Sequence, residues 1–148
     1  MTKRNPYLIA GGVMSALISL LHIILAVKPD LYRYIGPDSS ALTEMAGQGA
    51  GIITVLTVVL ALIFAVWALY GFSGAGLIRR LPLLRAGLIA ISAIYILRAL
   101  FLPTEINMVL TEGYPFRFVV FSTISLTAGL LYLIGFLKQR KSLKPGDK

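Results

Sequence analysis

Residues 50–72, AGIITVLTVVLALIFAVWALYGF, decide the fold. The stretch runs for 23 residues without a charged side chain. As a helix rising 1.5 Å per residue it reaches about 34 Å, enough to cross a hydrocarbon core of about 30 Å. Its run Val55-Leu56-Thr57-Val58-Val59-Leu60 suits a strand by β-branching alone. The length of the apolar stretch overrules that. Lipid offers no partner to backbone N–H and C=O groups, and a helix satisfies them within one segment.

Three further stretches of the same kind lie at residues 7–27, 83–102 and 116–137. Together they predict an all-α integral membrane protein, an antiparallel bundle of four transmembrane helices. We expect one membrane domain over residues 1–148, ending in a basic cytoplasmic tail at 138–148. Composition agrees: 57% of residues are apolar and 14% charged, where soluble domains carry about 25% charge. The chain has no cysteine, which excludes disulfides, thiolate metal sites and thiol catalysis. Lys3 and Arg4 resemble the start of a signal peptide. The apolar run that follows exceeds the usual 7–15 residues or so, and no small-x-small site precedes Lys28-Pro29-Asp30, so the first span is expected to be retained.

The basic residues set the orientation. Lys3 and Arg4 precede the first span, Arg79, Arg80 and Arg85 flank the second connection, and Lys138, Arg140, Lys141, Lys144 and Lys148 fill the tail. The first and third connections hold five of the six acids, Asp30, Asp38, Glu44, Glu105 and Glu112, with Lys28, Arg33 and Arg117. Both termini are therefore expected in the cytoplasm. The net charge of +8 is explained as a topology signal, so nucleic acid is not an expected partner. The short second connection, punctuated by Gly74, Gly76 and Pro82, makes spans two and three an antiparallel hairpin. In the longer first connection, Ser39 or Ser40 is a candidate cap for a helix from Ala41 into span two.

Ionisable residues within a span are costly and face a bundle interior, a partner or water. The candidates are Arg98, late in span three, and His22, late in span one, at similar depth. Glu44 and Gln48, four apart on one helical face, open span two at that same level. Tyr95 is one turn before Arg98 on its face. Glu105 lies seven residues beyond Arg98, past Pro103, where the helix can end first. Three accounts fit Arg98: an anchor for an anionic or quinone-like head group, a structural pair with Glu44, or a side chain snorkelling to the headgroups. One histidine cannot supply a two-histidine haem within a monomer, so haem and metal are not expected. Gly47-Gln48-Gly49-Ala50-Gly51 lacks the Lys-Ser/Thr and the preceding strand of a phosphate loop. Gly11, Ser15 and Ser19, and Ser125 with Gly129, fall at the four-residue steps of close helix packing, within the chain or between copies. No nucleophile–base pair, paired carboxylate site or metal-ligand spacing is present.

The layout resembles the DoxX-like group of small bacterial membrane proteins. The shared features are the span order, the proline-containing first connection, the entry to span two with Glu44, Gly47, Gly49 and Gly51, the short basic second connection, and Arg98 late in span three. The resemblance covers residues 21–136. It implies a bacterial inner-membrane location and an association with quinone-coupled or oxidative-stress assemblies, without any thiol step here. The expected function is a small non-enzymatic membrane protein. It binds a hydrophobic ligand, lipid or quinone through Arg98, Glu44, His22, Gln48 and Tyr95 near the outer surface, or serves as an accessory subunit of a membrane assembly. A second candidate is a small homodimeric proton-coupled transporter.

Overall fold

The computed structural model describes residues 4–35 and 50–139. The expected cap, Ser39 or Ser40, and the helix start at Ala41 lie outside them, as do Glu44, Gln48 and most of the basic tail. The described chain forms α1 (Pro6–Val27), a 3-10 turn (Pro29–Leu31), a helical turn α2 (Tyr32–Ile35), α3 (Ala50–Gly74), α4 (Leu84–Ala99), α5 (Leu102–Glu112) and α6 (Arg117–Gln139). No strand occurs among the described residues. Four helical stretches are long and apolar enough to cross a membrane: α1, α3, α4 with α5, and α6. Large apolar side chains stand exposed along all of them, Leu17, Val55, Leu62, Leu97 and Leu137 among them. That surface is what lipid requires and water would penalise.

By contacts the chain divides into two compact units, Met1–Met14 with Trp67–Lys148, and Ser15–Val66. The first holds the beginning of α1, the end of α3, and α4, α5 and α6. Neighbouring helices in it run antiparallel. Asn5 Nδ2 donates to Gly135 O at 2.8 Å, and a Cβ at Gly11 would meet the ring of Tyr132 at 3.1 Å, so α1 and α6 run in opposite directions. Ser92 Oγ donates to Gly129 O at 3.0 Å, while Arg98 lies beside Ser122, which sets α4 against α6 in the same sense. Gly12 and Gly71 make the crossing of α1 and α3. A Cβ on Gly71 would stand 2.7 Å from the Cα of Gly12, so only a side chain of one hydrogen lets these backbones approach.

Tyr132 is the pillar of this unit. It is fully buried, packs on Gly11 of α1, donates its hydroxyl to Trp67 O of α3 at 2.7 Å, and stacks on Tyr95 of α4 with ring centroids 6.1 Å apart. Trp67 meets Tyr95 edge-on at 4.9 Å. Tight local chemistry frames the helices. Asn5 caps α1, its Oδ1 accepting from the N–H of Tyr7 at 3.1 Å, with Pro6 in the first turn where its missing N–H costs nothing. In the α3–α4 connection Ser73 Oγ donates to Arg79 O at 3.0 Å and accepts from Leu81 N–H at 2.9 Å. Leu83, ahead of α4, has φ 53°, a left-handed conformation that costs a non-glycine residue about 1–2 kcal/mol.

The second unit holds the end of α1, the turns that follow and the beginning of α3. Ser19 Oγ donates to Ala61 O at 2.7 Å, so the small residue on α1 ties its helix to α3 through the backbone. The Tyr32 hydroxyl meets Thr57 Oγ1, which in turn donates to Ile53 O at 2.6 Å. Ser19, Tyr32 and Thr57 thus each have a partner within the apolar span, as burial away from water demands.

Candidate functional site

The third membrane stretch is broken at Leu100 and Phe101, and the break builds the polar cluster. The helix does end before Glu105, with α4 closing at Ala99, and Pro103 belongs to the next helix, α5. It occupies the first turn of α5, where a proline's missing N–H would have no intrahelical partner in any case. Leu100 and Phe101 remain in the right-handed region, and Leu100 N–H bonds to Ile96 O at 3.1 Å, so the chain continues past the break. Two half-helices result. Arg98 sits in the last turn of α4, at its negative dipole end, and Glu105 in the first turn of α5, at its positive end. Each charge stabilises the terminus it occupies.

Seven residues of straight helix separate side chains by about 10 Å of rise. Across the break, Arg98 Nη1 reaches Glu105 Oε1 at 3.1 Å. The same nitrogen donates to Ser122 Oγ of α6 at 2.7 Å, and the Ser122 hydroxyl donates to Glu105 Oε2. The three groups close a ring of hydrogen bonds joining α4, α5 and α6. Burial across the ring is unequal: the Arg98 side chain is 40% exposed and that of Glu105 11%, while Ser122 is fully buried. Both hydrogens of Nη1 are used within the ring. Among the described residues, Nη2 and Nε of Arg98 have no hydrogen-bond acceptor, so the side-on edge of the guanidinium keeps its paired donors.

The other candidates fall as follows. Tyr95 is 3% exposed and belongs to the aromatic core with Trp67 and Tyr132, one turn from Arg98. His22 belongs to the second unit. Its Nδ1 bonds to Ile18 O at 2.8 Å, and a carbonyl only accepts, so Nδ1 is the donor. The ring lies 5.2 Å from that of Phe64. Glu44 and Gln48 are outside the described residues, and the carboxylate beside Arg98 is that of Glu105. No group of three His, Cys, Asp or Glu residues among the described ones is placed to hold a metal. Arg117 opens α6, its guanidinium 5.1 Å from the centre of the Phe118 ring, and Tyr114 stacks on Phe118 at 4.7 Å.

Ser122 is the member that sequence reasoning missed, although a signal exists. In an antiparallel pair, residues equidistant from the connection face one another. Ser92 with Gly129 and Arg98 with Ser122 are both centred near residue 110. The small polar residue opposite Arg98 is therefore legible once the middle of the connection is known. No protein family, curated protein or solved structure matches this chain.

Proposed function

We propose that this is a small, non-enzymatic, multi-pass protein of the bacterial inner membrane that holds the polar head of a hydrophobic ligand, a lipid or a quinone, on the open edge of Arg98. The observation that carries it is the division of labour in one guanidinium. Nη1 is fixed by Glu105 and Ser122, while Nε and Nη2 form a planar fork on a side chain that is 40% exposed. Such a fork matches a phosphate, a carboxylate or a pair of carbonyl oxygens, and it is oriented before the ligand arrives. The exposed apolar flank of the same stretch, Leu97, Leu100 and Phe101, suits a hydrophobic tail. The resemblance to DoxX-like proteins bears on the same residue, the arginine late in the third span. With the basic connection and tail in the cytoplasm, the cluster lies toward the outer surface.

The test is native mass spectrometry of the protein extracted from its own membrane in mild detergent. A reproducible bound mass is expected in the wild type and lost in Arg98→Ala. Arg98→Lys should also lose it, because an ammonium keeps the charge but has no side-on fork. A wild type that carries no mass in repeated preparations refutes the proposal.

A second function is favoured by the break itself. Discontinuous membrane helices with a binding site at the break are a construction used by coupled transporters. In a proton-coupled homodimer, Glu105 would be the coupling carboxylate. Flux driven by a proton gradient in vesicles, abolished in Glu105→Gln, is the expected result, and gradient-independent leakage refutes it.

A further inference from the structure

We infer that the opposite end of the first unit, at the α3–α4 connection, is a binding site for the phosphate of an anionic phospholipid. Contacts between the helices bring the parts of this end together. Asn5 holds Gly135, Lys138 Nζ donates to the Tyr7 hydroxyl at 2.8 Å, and Tyr70 donates its hydroxyl to Pro82 O at 3.0 Å. A Cβ on Gly74 would touch both Leu8 and Leu88. The end therefore gathers Arg4, Arg79, Arg80, Arg85 and Lys138. The described carboxylates of this unit, Glu105 and Glu112, are both on α5, beyond the far end of α4. Arg4, Arg79, Arg85 and Lys138 thus share one end, and the described acids of the unit lie at the other.

Arg85 makes the demand specific. It lies in the first turn of α4, where the macrodipole is positive and a cation is unfavourable unless an anion stands nearby. Its Nε is buried and has no hydrogen-bond partner among the described residues. A buried donor left unpaired is costly, and a phosphate oxygen would satisfy it while neutralising the charge. The surrounding chain shows that the anion comes with a tail. Leu83 is 81% exposed, and Leu77 and Ile78 stand out beside Arg79. A loop made for water would not alternate bare leucines with arginines, whereas the boundary between headgroups and acyl chains takes both. A free phosphate would satisfy the arginines and leave those apolar side chains unexplained.

The experiment is native mass spectrometry of the full chain in mild detergent, titrated with equal concentrations of phosphatidylglycerol and phosphatidylcholine. The wild type should retain phosphatidylglycerol about tenfold more than phosphatidylcholine, and inorganic phosphate at the same concentration should not displace it. Arg79→Gln and Arg85→Gln should each weaken retention about fivefold, the equivalent of about 1 kcal/mol per basic residue at a lipid surface. Arg117→Gln, at the other end, should leave it unchanged. Equal retention of the two lipids by the wild type overturns the inference without need of any variant. So does a loss in Arg117→Gln as large as in Arg79→Gln, which would mark diffuse charge rather than a site. The Arg98 proposal is read from the bound mass that Arg98→Ala removes and that Arg79→Gln and Arg85→Gln leave in place, and it survives or fails separately.

Discussion

Replacing Arg98 and Glu105 by leucine, singly and together, should give unequal costs, and the inequality follows from burial. In Arg98→Leu the Glu105 carboxylate stays 11% exposed with no cation, and Ser122, fully buried, loses its donor. Orphaning one member of a buried pair costs about 3–5 kcal/mol. In Glu105→Leu the charge left behind is on Arg98, whose side chain is already 40% exposed and long enough to turn toward the headgroups. That relief, with the screening available to a partly exposed ion, brings the expected cost to about 1–3 kcal/mol. The double variant orphans only the Ser122 hydroxyl, which can turn to its own helix, so it should cost less than Arg98→Leu alone. The cycle should show a coupling of about 1–3 kcal/mol between two positions seven residues apart. The chain has a single tryptophan, Trp67, packed edge-on against Tyr95 in the same unit. Its fluorescence during titration from mild detergent into sodium dodecyl sulfate reports the unfolding directly. If Glu105→Leu cost as much as Arg98→Leu, or if the two costs simply added, the ring would not be the unit described above.

Three further outcomes are expected in the same assay or beside it. Tyr132→Phe removes one hydroxyl bonded to Trp67 O and should cost about 1 kcal/mol; a cost above about 3 kcal/mol would mean that the ring packing, not the hydrogen bond, had been disturbed. Gly71→Ala should destabilise by about 1–3 kcal/mol, because its Cβ has nowhere to go against the backbone of Gly12. Gly51→Ala, whose Cβ meets nothing within 4 Å, should be neutral or stabilising, and equal effects at the two glycines would refute the crossing. Ser73→Ala unties the α3–α4 connection at both its bonds, to Arg79 O and Leu81 N–H, and should speed hydrogen exchange at the Leu81 amide at least about fivefold, one bond being worth about 1 kcal/mol or more.

The four long helices are legible in the sequence because one physical demand, satisfying the backbone in lipid, leaves a stretch such as residues 50–72 a single solution. The polar cluster is less legible, for two reasons that can be named. Pro103 carries opposite meanings at the end and at the start of a helix, and the residues beside it do not say which applies. The structure shows a start, and that choice turns Glu105 from a loop acid into the partner of Arg98. Ser122 and Tyr132 are hidden differently. Each acts across helices, Ser122 toward α4 and α5, Tyr132 toward α1, α3 and α4, and local periodicity carries no information about which helix is the neighbour. Gly11, Gly129 and Ser19 are intermediate cases. Their spacing marks close packing, while the partners, Tyr132, Tyr95 with Ile96, and Ala61 O, emerge only from the fold.

The choice of arginine at position 98 bears on what the cluster is for. A helix break needs only a cation at the end of α4 and an anion at the start of α5, and a lysine supplies the first as well as an arginine. Nor do the two hydrogen bonds to Glu105 and Ser122 require a guanidinium, since both leave from one nitrogen, as they could from an ammonium. What only arginine adds is the second nitrogen edge, planar with the first and held in place by it. In a purely structural staple that edge has no work and must still be solvated at the membrane boundary. Two donors fixed side by side on a 40% exposed side chain beside apolar flanks therefore favour a bound head group over a staple as the reason an arginine stands there.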